Sequence, residues 1–168
     1  RIVNSLKSFA RLDEAVFQIT DLHEGLESIL TLLDQDLEGR ISVVKEYGEI
    51  PLLACYPGEL NQMFMNLLMN AVQAIERNGT ITIRSFVEKG NVHVQIKDTG
   101  IGVSSERIKE LFDPSFTKKG HRVKAGLGLF ASYNIIQKHH GEIKVESEVG
   151  KGSTFTVILP MDLEKAIE

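Results

Sequence analysis

A change in hydrophobic period close to residue 78 constrains the fold more than any other feature of the sequence. Before it, residues 57–75 carry apolar side chains three and four positions apart, the pattern of a helix with one wide apolar face. After it, residues 80–87 and 92–97 alternate apolar and polar side chains, which predicts two strands, and residues 88–91 suit a hairpin turn. A helix with one apolar face can bury it against such a sheet, so this order predicts a layered domain.

The remaining segments extend both layers. Strands are predicted at residues 41–44, 52–55, 142–146 and 154–159, and helices at residues 105–112 and 127–140. We expect Gly79 to end the helix that begins at Pro57, and Gly141 to end the helix of residues 127–140. The predicted fold class is an α/β (α+β) two-layer sandwich, in which about three helices cover one face of a mixed, mostly antiparallel sheet.

A helical piece precedes this sandwich. Residues 1–18 have the apolar spacing of a helix, and residues 22–33 have that of a second helix, which Thr20 or Asp21 can cap. The predicted division of the chain is a helical piece at residues 1–36 and an α/β domain at residues 37–168.

The bulk properties exclude several classes of protein. The net charge of −4 gives no overall basic field, so we expect no nucleic-acid partner. Cys55 is the only cysteine, which rules out a disulfide within the chain, and no apolar run approaches the ~20 residues that span a bilayer. These features predict a cytoplasmic location. Because Arg1 already lies within a helical pattern, we expect the sequence to be a piece of a longer protein.

Two asparagines interrupt the apolar helix of residues 57–75. Asn66 and Asn70 are one helical turn apart and therefore share a face. A carboxamide oxygen can serve as a ligand for a hard cation such as Mg²⁺. Equally, the two amides could tie the helix to neighbouring backbone, because buried amides must find hydrogen-bond partners.

A polar segment with two glycines, residues 98–102, directly follows the strand predicted at residues 92–97. Asp98 offers a carboxylate acceptor at the strand end, and Gly100 and Gly102 permit close backbone approach or a positive φ. Such a carboxylate could accept from the exocyclic amine of adenine. Aspartate and glycine are also ordinary turn residues, so the segment alone is more typical of a turn.

A glycine-rich segment, residues 126–129, leads into the helix predicted from residue 127. It lacks the preceding strand of a dinucleotide-binding fold, but backbone N–H groups at a helix start can hold phosphate. The preceding loop, residues 113–125, carries several basic side chains, among them Lys118 and Lys119. This loop is either a solvated connection or a functional element between two candidate binding turns.

The order of these segments is recognisable. Asparagines at residues 66–70 precede Asp-x-Gly-x-Gly at 98–102, Phe-x-Pro-x-Phe at 112–116 and Gly-Leu-Gly-Leu at 126–129. The sequence resembles the catalytic domain of sensor histidine kinases, which belong to the superfamily of gyrase, heat-shock chaperone, histidine kinase and mismatch-repair ATPases. The resemblance covers residues 41–160, including the closing Gly-Lys-Gly-Ser-Thr stretch and Pro160.

The resemblance implies ATP and Mg²⁺ as ligands. Asn70, helped by Asn66, would hold Mg²⁺, Asp98 would accept from the adenine amine, and residues 113–125 would form a lid over the nucleotide. Asn66, Asn70 and Lys118 would take part in phosphoryl transfer. The implied nucleotide contacts are Asn66, Asn70, Gln73, Asp98, Gly100, Ile101, Gly102, Phe116, Lys118, Lys119, Gly126, Leu127, Gly128, Leu129 and Thr154.

Two positions depart from the wider superfamily. Many relatives carry a basic residue where this chain has Gln73. The ATPase branches generally have a glutamate general base where this chain has Asn66, and an amide cannot take a proton from water. The resemblance therefore favours phosphoryl transfer to a protein over hydrolysis. An ATPase-type clamp and a non-catalytic or serine-directed nucleotide-binding regulator of the same superfamily are the alternatives.

The implied partners are other proteins of two-component signalling. The phosphoryl group would pass to a histidine on the phosphotransfer helix hairpin of the same kinase, and then to the receiver domain of a response regulator. The full-length protein would be a homodimer. Residues 1–36 resemble the remainder of that hairpin, and His23 lacks the flanking pattern of an acceptor histidine, so we expect the acceptor to lie outside this sequence.

Overall fold

The computed structural model describes residues 16–111 and 124–162, and of residues 124–128 it describes only the backbone. No helix among these residues is both long enough and apolar enough to cross a membrane. In chain order the elements are β1 (Gln18–Thr20), α1 (Leu22–Leu32), α2 (Asp34–Leu37), β2 (Ile41–Tyr47), β3 (Leu53–Cys55), α3 (Pro57–Ala74), β4 (Gly79–Glu88), β5 (Asn91–Asp98), α4 (Ser105–Glu110), α5 (Lys124–Lys138), β6 (Glu142–Glu148) and β7 (Gly152–Pro160).

Five strands form the main sheet in the order β2-β4-β5-β7-β6. β2 and β4 run parallel, and every other neighbouring pair is antiparallel. Lys89 and Gly90 join β4 to β5 with φ of 52° and 78°, as a two-residue type I′ hairpin requires. The structure therefore confirms the predicted two-layer sandwich with a mixed, mostly antiparallel sheet.

The core lies between this sheet and the helices. α3 supplies its longest apolar face, which includes the fully buried Phe64, Leu67 and Leu68, and the sheet supplies Ile81 and Ile83 of β4. Burying a side chain of this size contributes roughly 1.5–3 kcal/mol, so the contact between α3 and the sheet stabilises the fold. The strand register keeps the same face of the neighbouring strand β5 buried, through Val92, Val94 and Ile96.

Helix α1 begins and packs as its sequence predicts. The Asp21 carboxylate caps it by accepting from the backbone N–H of His23 at 2.9 Å. The five apolar residues predicted to share one face all lie in the common core: Leu22, Leu26, Ile29, Leu30 and Leu33. The predicted division of the chain near residue 36 stays a prediction, and α1 shares one hydrophobic cluster with α3.

The prediction of a helix up to residue 18 is wrong at its end. Gln18 begins β1, which pairs antiparallel with β3 in a separate two-stranded sheet, with Gln18 opposite Cys55. The local residues are Val, Phe, Gln, Ile and Thr, which favour strands, and β3 offers the backbone partners that a lone strand needs. Residues 1–15 lie outside the described part of the chain.

The predicted helix end at Gly79 is wrong. The predicted helix before Gly141 ends two residues earlier than expected, although the Gly141 N–H closes its last turn by donating to the Ile136 carbonyl at 2.9 Å. α3 ends at Ala74, and Gly79 instead begins β4. The Arg40 guanidinium binds the released carbonyl groups, donating to Ile75 at 2.9 Å and to Arg77 at 3.1 Å, so this helix end needs no glycine. α5 runs from Lys124 to Lys138 rather than from residue 127 to residue 140, and His140 takes the left-handed conformation, with φ of 55°.

His139 joins the end of α5 to the start of α3, and this contact predicts a pH effect on stability. Its imidazole is fully buried, with Nδ1 2.8 Å from the Ile135 carbonyl and Nε2 3.1 Å from the Tyr56 backbone N–H. Only the neutral ring can donate at Nδ1 and accept at Nε2. Burial, the largest effect, lowers the pKa of His139; a weaker rise comes from the Ile135 carbonyl and Glu59, and Lys138 and His140 lower it further.

The unfolded chain therefore binds a proton at His139 at a higher pH than the folded chain does. Its contribution to stability is complete above the unfolded pKa of about 6.5 and falls as the pH decreases toward the folded pKa. We expect the melting temperature to drop between about pH 7.5 and pH 5.5, and the drop to be smaller in His139→Gln. An equal drop in the wild type and in His139→Gln would contradict this assignment.

Candidate functional site

A cleft of about 410 Å³ lies between α3, the segment after β5, and β7. It brings together residues that are far apart in the sequence, because α3 crosses the sheet beside the ends of β5 and β7. Six residues predicted for the site line this cleft: Asn70, Gln73, Asp98, Ile101, Gly102 and Leu129.

Asp98 is the last residue of β5 and is only 2% exposed. Its Oδ1 accepts a hydrogen bond from the Gly100 backbone N–H at 2.8 Å. Burial raises the pKa of Asp98, and backbone hydrogen bonds from Gly100 and Ser153 oppose that rise. A carboxylate can accept about four hydrogen bonds, so Asp98 retains acceptor capacity for a donor that enters the cleft.

The two glycines after Asp98 let this loop pack tightly against protein backbone. A Cβ at Gly100 would lie 2.5 Å from the Ala74 carbonyl oxygen, and the neighbouring Ile101 N–H donates to that same oxygen at 2.9 Å. Gly102 has φ of 73°, and a Cβ there would lie 2.2 Å from the Glu148 carbonyl oxygen. Gly100 lies behind the cleft and Gly102 lines it, so the glycines fix the course of the loop between α3 and the β6–β7 turn.

Asn70 presents an unusual amide to the cleft. Its Nδ2 is buried and has no hydrogen-bond partner among the residues that the structure describes. A buried amide without a partner costs about 1–3 kcal/mol, which a ligand in the cleft could offset. Asn66, one turn earlier on α3, is half-buried and does not line the cleft, and Gln73 is exposed at its edge.

The far wall of the cleft is α5. Leu129 is 1% exposed and lines the cleft, while Gly126 and Gly128 lie in the first turns of α5 and not in a turn before it. Only the N–H groups in the first turn of a helix have no partners within the helix, so Gly126, the third residue of α5, still offers a donor. The N–H groups of residues 127–129 fall within the hydrogen-bond pattern of the helix. Phe116, Lys118 and Lys119 lie outside the described residues. So does the predicted lid of residues 113–125, except for its last two residues, which begin α5.

Thr154 does not line the cleft. β7 alternates, so Ser153 and Phe155 point into the cleft and Thr154 points to the opposite face of the sheet, where it pairs with the exposed Lys97. The sequence prediction missed Ser153 by one position. The buried Val157 and Leu159 share the parity of Ser153, and that alternation in the sequence could have identified it.

Further lining residues escaped the sequence prediction because no motif marks them. Val103, Ser104 and Arg107 enter from the segment after Gly102 and from α4, and Val149 enters from the β6–β7 turn. Among the described lining residues, Arg107 is the only one with a permanent positive charge. No group of three or more potential metal-ligating His, Cys, Asp or Glu side chains occurs in the described part of the chain.

The sequence matches a known protein family over more than half of its length. Residues 56–163 match the family of histidine kinase-, DNA gyrase B-, and HSP90-like ATPases. The chain is 32% identical over 167 residues to the sensor histidine kinase ZraS of Escherichia coli K12, in a match that covers 98% of this chain and 36% of ZraS. The chain thus spans about a third of the length of this curated relative.

Solved structures show the same fold. The catalytic domain of histidine kinase ThkA superposes with a TM-score of 0.78 and 26% identity, covering 89% of this chain and 99% of that one. Full-length ShkA in complex with AMPPNP superposes with a TM-score of 0.75 and 26% identity, covering 95% of this chain and 35% of ShkA.

Proposed function

Because the chain belongs to the family of histidine kinase-, DNA gyrase B- and HSP90-like ATPases, we propose that its cleft binds ATP with Mg²⁺ and that the γ-phosphoryl group passes to a histidine of a phosphotransfer helix. The observation that carries this proposal is the presence in one cleft of Asp98, buried on its floor, and of Asn70 on its wall, whose Nδ2 has no hydrogen-bond partner among the described residues. One end of the cleft thus suits a base and the other suits phosphates and a cation.

The base end of the site depends on Asp98. Its carboxylate is fixed by the Gly100 N–H and would accept from the exocyclic amine of adenine. Ile101 and Val149 are 52% and 66% exposed at the mouth of the cleft, and they offer apolar surface to the faces of the base. Gly102 keeps the loop between them in a course that a residue with a side chain could not follow.

The phosphate end would include Asn70 as the holder of Mg²⁺, with Gln73 beside it. Asn66, which does not line the cleft, would help from one turn earlier on α3. The donor set fits, because the carboxamide oxygen of Asn70 is a hard ligand that Mg²⁺ accepts. Its Nδ2, which has no hydrogen-bond partner among the described residues, cannot bind the cation but could donate to a phosphate oxygen. Mg²⁺ bound here would neutralise phosphate charge. Lys118 and Lys119 would supply further positive charge, and Gly126 in the first turn of α5 would supply a backbone donor to phosphate.

The chemistry assigned to these residues is positioning. Asn66 occupies the place where hydrolytic relatives have a glutamate, and its amide cannot activate water. The chain would therefore hold the nucleotide, shield it from water and orient its γ-phosphoryl group toward an acceptor that another helix supplies. That acceptor belongs to the helix hairpin of the same kinase, which we expect to be a homodimer in the cytoplasm, and a response-regulator receiver domain would follow.

A phosphotransfer assay tests this function. The chain is incubated with ATP labelled at the γ-phosphate, with and without a separately made helix hairpin that carries an acceptor histidine, and the products are kept under alkaline conditions. We expect label on the hairpin and none on the chain itself. His23 is engaged in the fold, since its Nε2 lies 2.7 Å from Ser85 Oγ and its ring stacks on Tyr47. Label on His23 would contradict this assignment, and free phosphate without hairpin label would indicate hydrolysis.

A further inference from the structure

Three polar side chains form one row across the floor of the cleft. Ser147 on β6 lies opposite Ser153 on β7, and Ser153 lies opposite Asp98 on β5. Residues that lie directly opposite one another in antiparallel strands point to the same face, so all three side chains are on the helix side of the sheet. Asp98 and Ser153 line the cleft, whereas Ser147 lies behind Ser153.

Ser147 makes three close contacts through one hydroxyl group. Its Oγ accepts from the Val103 backbone N–H at 2.7 Å, donates to the Gly152 carbonyl at 3.0 Å, and lies 2.7 Å from Ser153 Oγ. A serine hydroxyl has one proton and two acceptor lone pairs. All three contacts are hydrogen bonds at the same time only if the Ser147 proton goes to Gly152 and Ser153 donates its own proton to Ser147.

This assignment of protons determines which hydrogen bonds Ser153 can make with a ligand in the cleft. With its single proton directed at Ser147, Ser153 Oγ presents only lone pairs to the cleft, beside a carboxylate that also only accepts. A ligand group with two N–H donors satisfies both. A carbonyl oxygen at the same place would face two acceptors, and it would leave buried lone pairs without a partner.

We infer that Ser147 is a positioning residue for base selectivity: by accepting the Ser153 proton, it makes the cleft floor accept hydrogen bonds only, and so it favours purines with an exocyclic amine over purines with a carbonyl oxygen there. This inference rests on the proposed function, because it assumes that the base lies at Asp98. Ser147 acts through Ser153 and does not itself touch the ligand.

The experiment compares the affinities for ATP and for inosine triphosphate, in which a carbonyl oxygen replaces the exocyclic amine. Both are measured by titration calorimetry on the chain as it stands, with Mg²⁺ present. Ser147→Ala frees the Ser153 proton to meet the carbonyl oxygen. The preference for ATP over inosine triphosphate should fall by roughly five- to tenfold, the value of about one hydrogen bond. Ser147→Thr keeps the hydroxyl and should restore the preference.

A second substitution separates this role from simple support of the fold. In a Ser153→Ala background, Ser147→Ala should no longer change the preference, since no Ser153 proton remains to redirect. Ser153→Ala alone should weaken ATP binding but not the binding of inosine triphosphate, and it tests the acceptor state even if Ser147→Ala does not fold. Thr82→Ala, on the opposite face of the sheet, serves as the matched control and should leave the preference unchanged.

Each outcome decides a different point. If Ser147→Ala weakens the binding of ATP and of inosine triphosphate equally, the inference is overturned and Ser147 only supports the loop. The same holds if Ser147→Ala changes the preference for ATP as much in the Ser153→Ala background as in the wild type. If Ser153→Ala weakens the binding of both nucleotides equally, Ser153 does not present only acceptor lone pairs to the cleft. If the wild-type chain binds neither nucleotide, the proposed function itself fails.

Discussion

Replacing Asp98 by asparagine is expected to weaken ATP binding by roughly ten- to a hundredfold, the usual cost of losing a hydrogen bond to a charged group. Asparagine keeps the size of the side chain and can still accept from the Gly100 N–H, which lies 2.8 Å from Oδ1 in the wild type. It also brings an NH₂ group into the row of acceptors, where it competes with the amine of the base. Titration calorimetry on the variant measures the loss.

Thermal melting of the same sample shows whether the fold is kept. Burial raises the pKa of Asp98, so the ionised form lowers the stability of the folded state, and this cost grows as the pH rises above the unfolded value. The asparagine side chain carries no charge, so Asp98→Asn should melt no earlier than the wild type at neutral pH. Asp34→Asn, an exposed position on α2, is the control. An unchanged ATP affinity in a folded Asp98→Asn variant would remove Asp98 from the base site.

Where the hydrophobic period was strong, the sequence predicted the structure. The apolar face of α3 packs against the apolar faces of β4 and β5. The hydrophobic pattern of each element therefore reflects the contact that the element makes in the folded chain. The turn at Lys89 and Gly90 followed for the same reason, because the strands on both sides fix its length. The position of the glycine segment after Asp98 was also predicted correctly, because the strand β5 ends directly before it.

Where a tertiary contact replaces a local signal, the sequence prediction failed. Gly79 looks like a helix stop, but Arg40 binds the carbonyl groups at the end of α3, and Arg40 is distant in the sequence. β1 forms because it can pair with β3, and the sequence around residue 18 does not show that this partner is nearby. The resemblance pointed to Thr154, whereas the register of β7 puts Ser153 in the cleft. Arg107 and Val149 line the cleft from segments that carry no recognisable motif, so the sequence alone did not identify them.

Removal of the Asn70 amide is expected to affect phosphotransfer more than it affects stability. Asn70→Ala should reduce the rate of label transfer to the hairpin by at least roughly a hundredfold, because an interaction with a phosphate-bound cation is worth several kcal/mol in a reaction of this type. ATP affinity in the variant should also respond less to Mg²⁺ concentration. Both quantities are measured on one preparation, in a Mg²⁺ series.

Thermal stability separates this role from a structural one. If the amide only tied α3 to neighbouring backbone, Asn70→Ala would melt earlier and keep its Mg²⁺ dependence. The structure argues against that outcome, because the buried Nδ2 has no hydrogen-bond partner among the described residues and its removal relieves an unsatisfied donor. Asn61→Ala is the matched control, an amide on the same helix that lies against Gly25 of α1, away from the cleft. It should keep full Mg²⁺ dependence and full phosphotransfer, and a variant at Asn70 that behaves in the same way would exclude Asn70 as a holder of the cation.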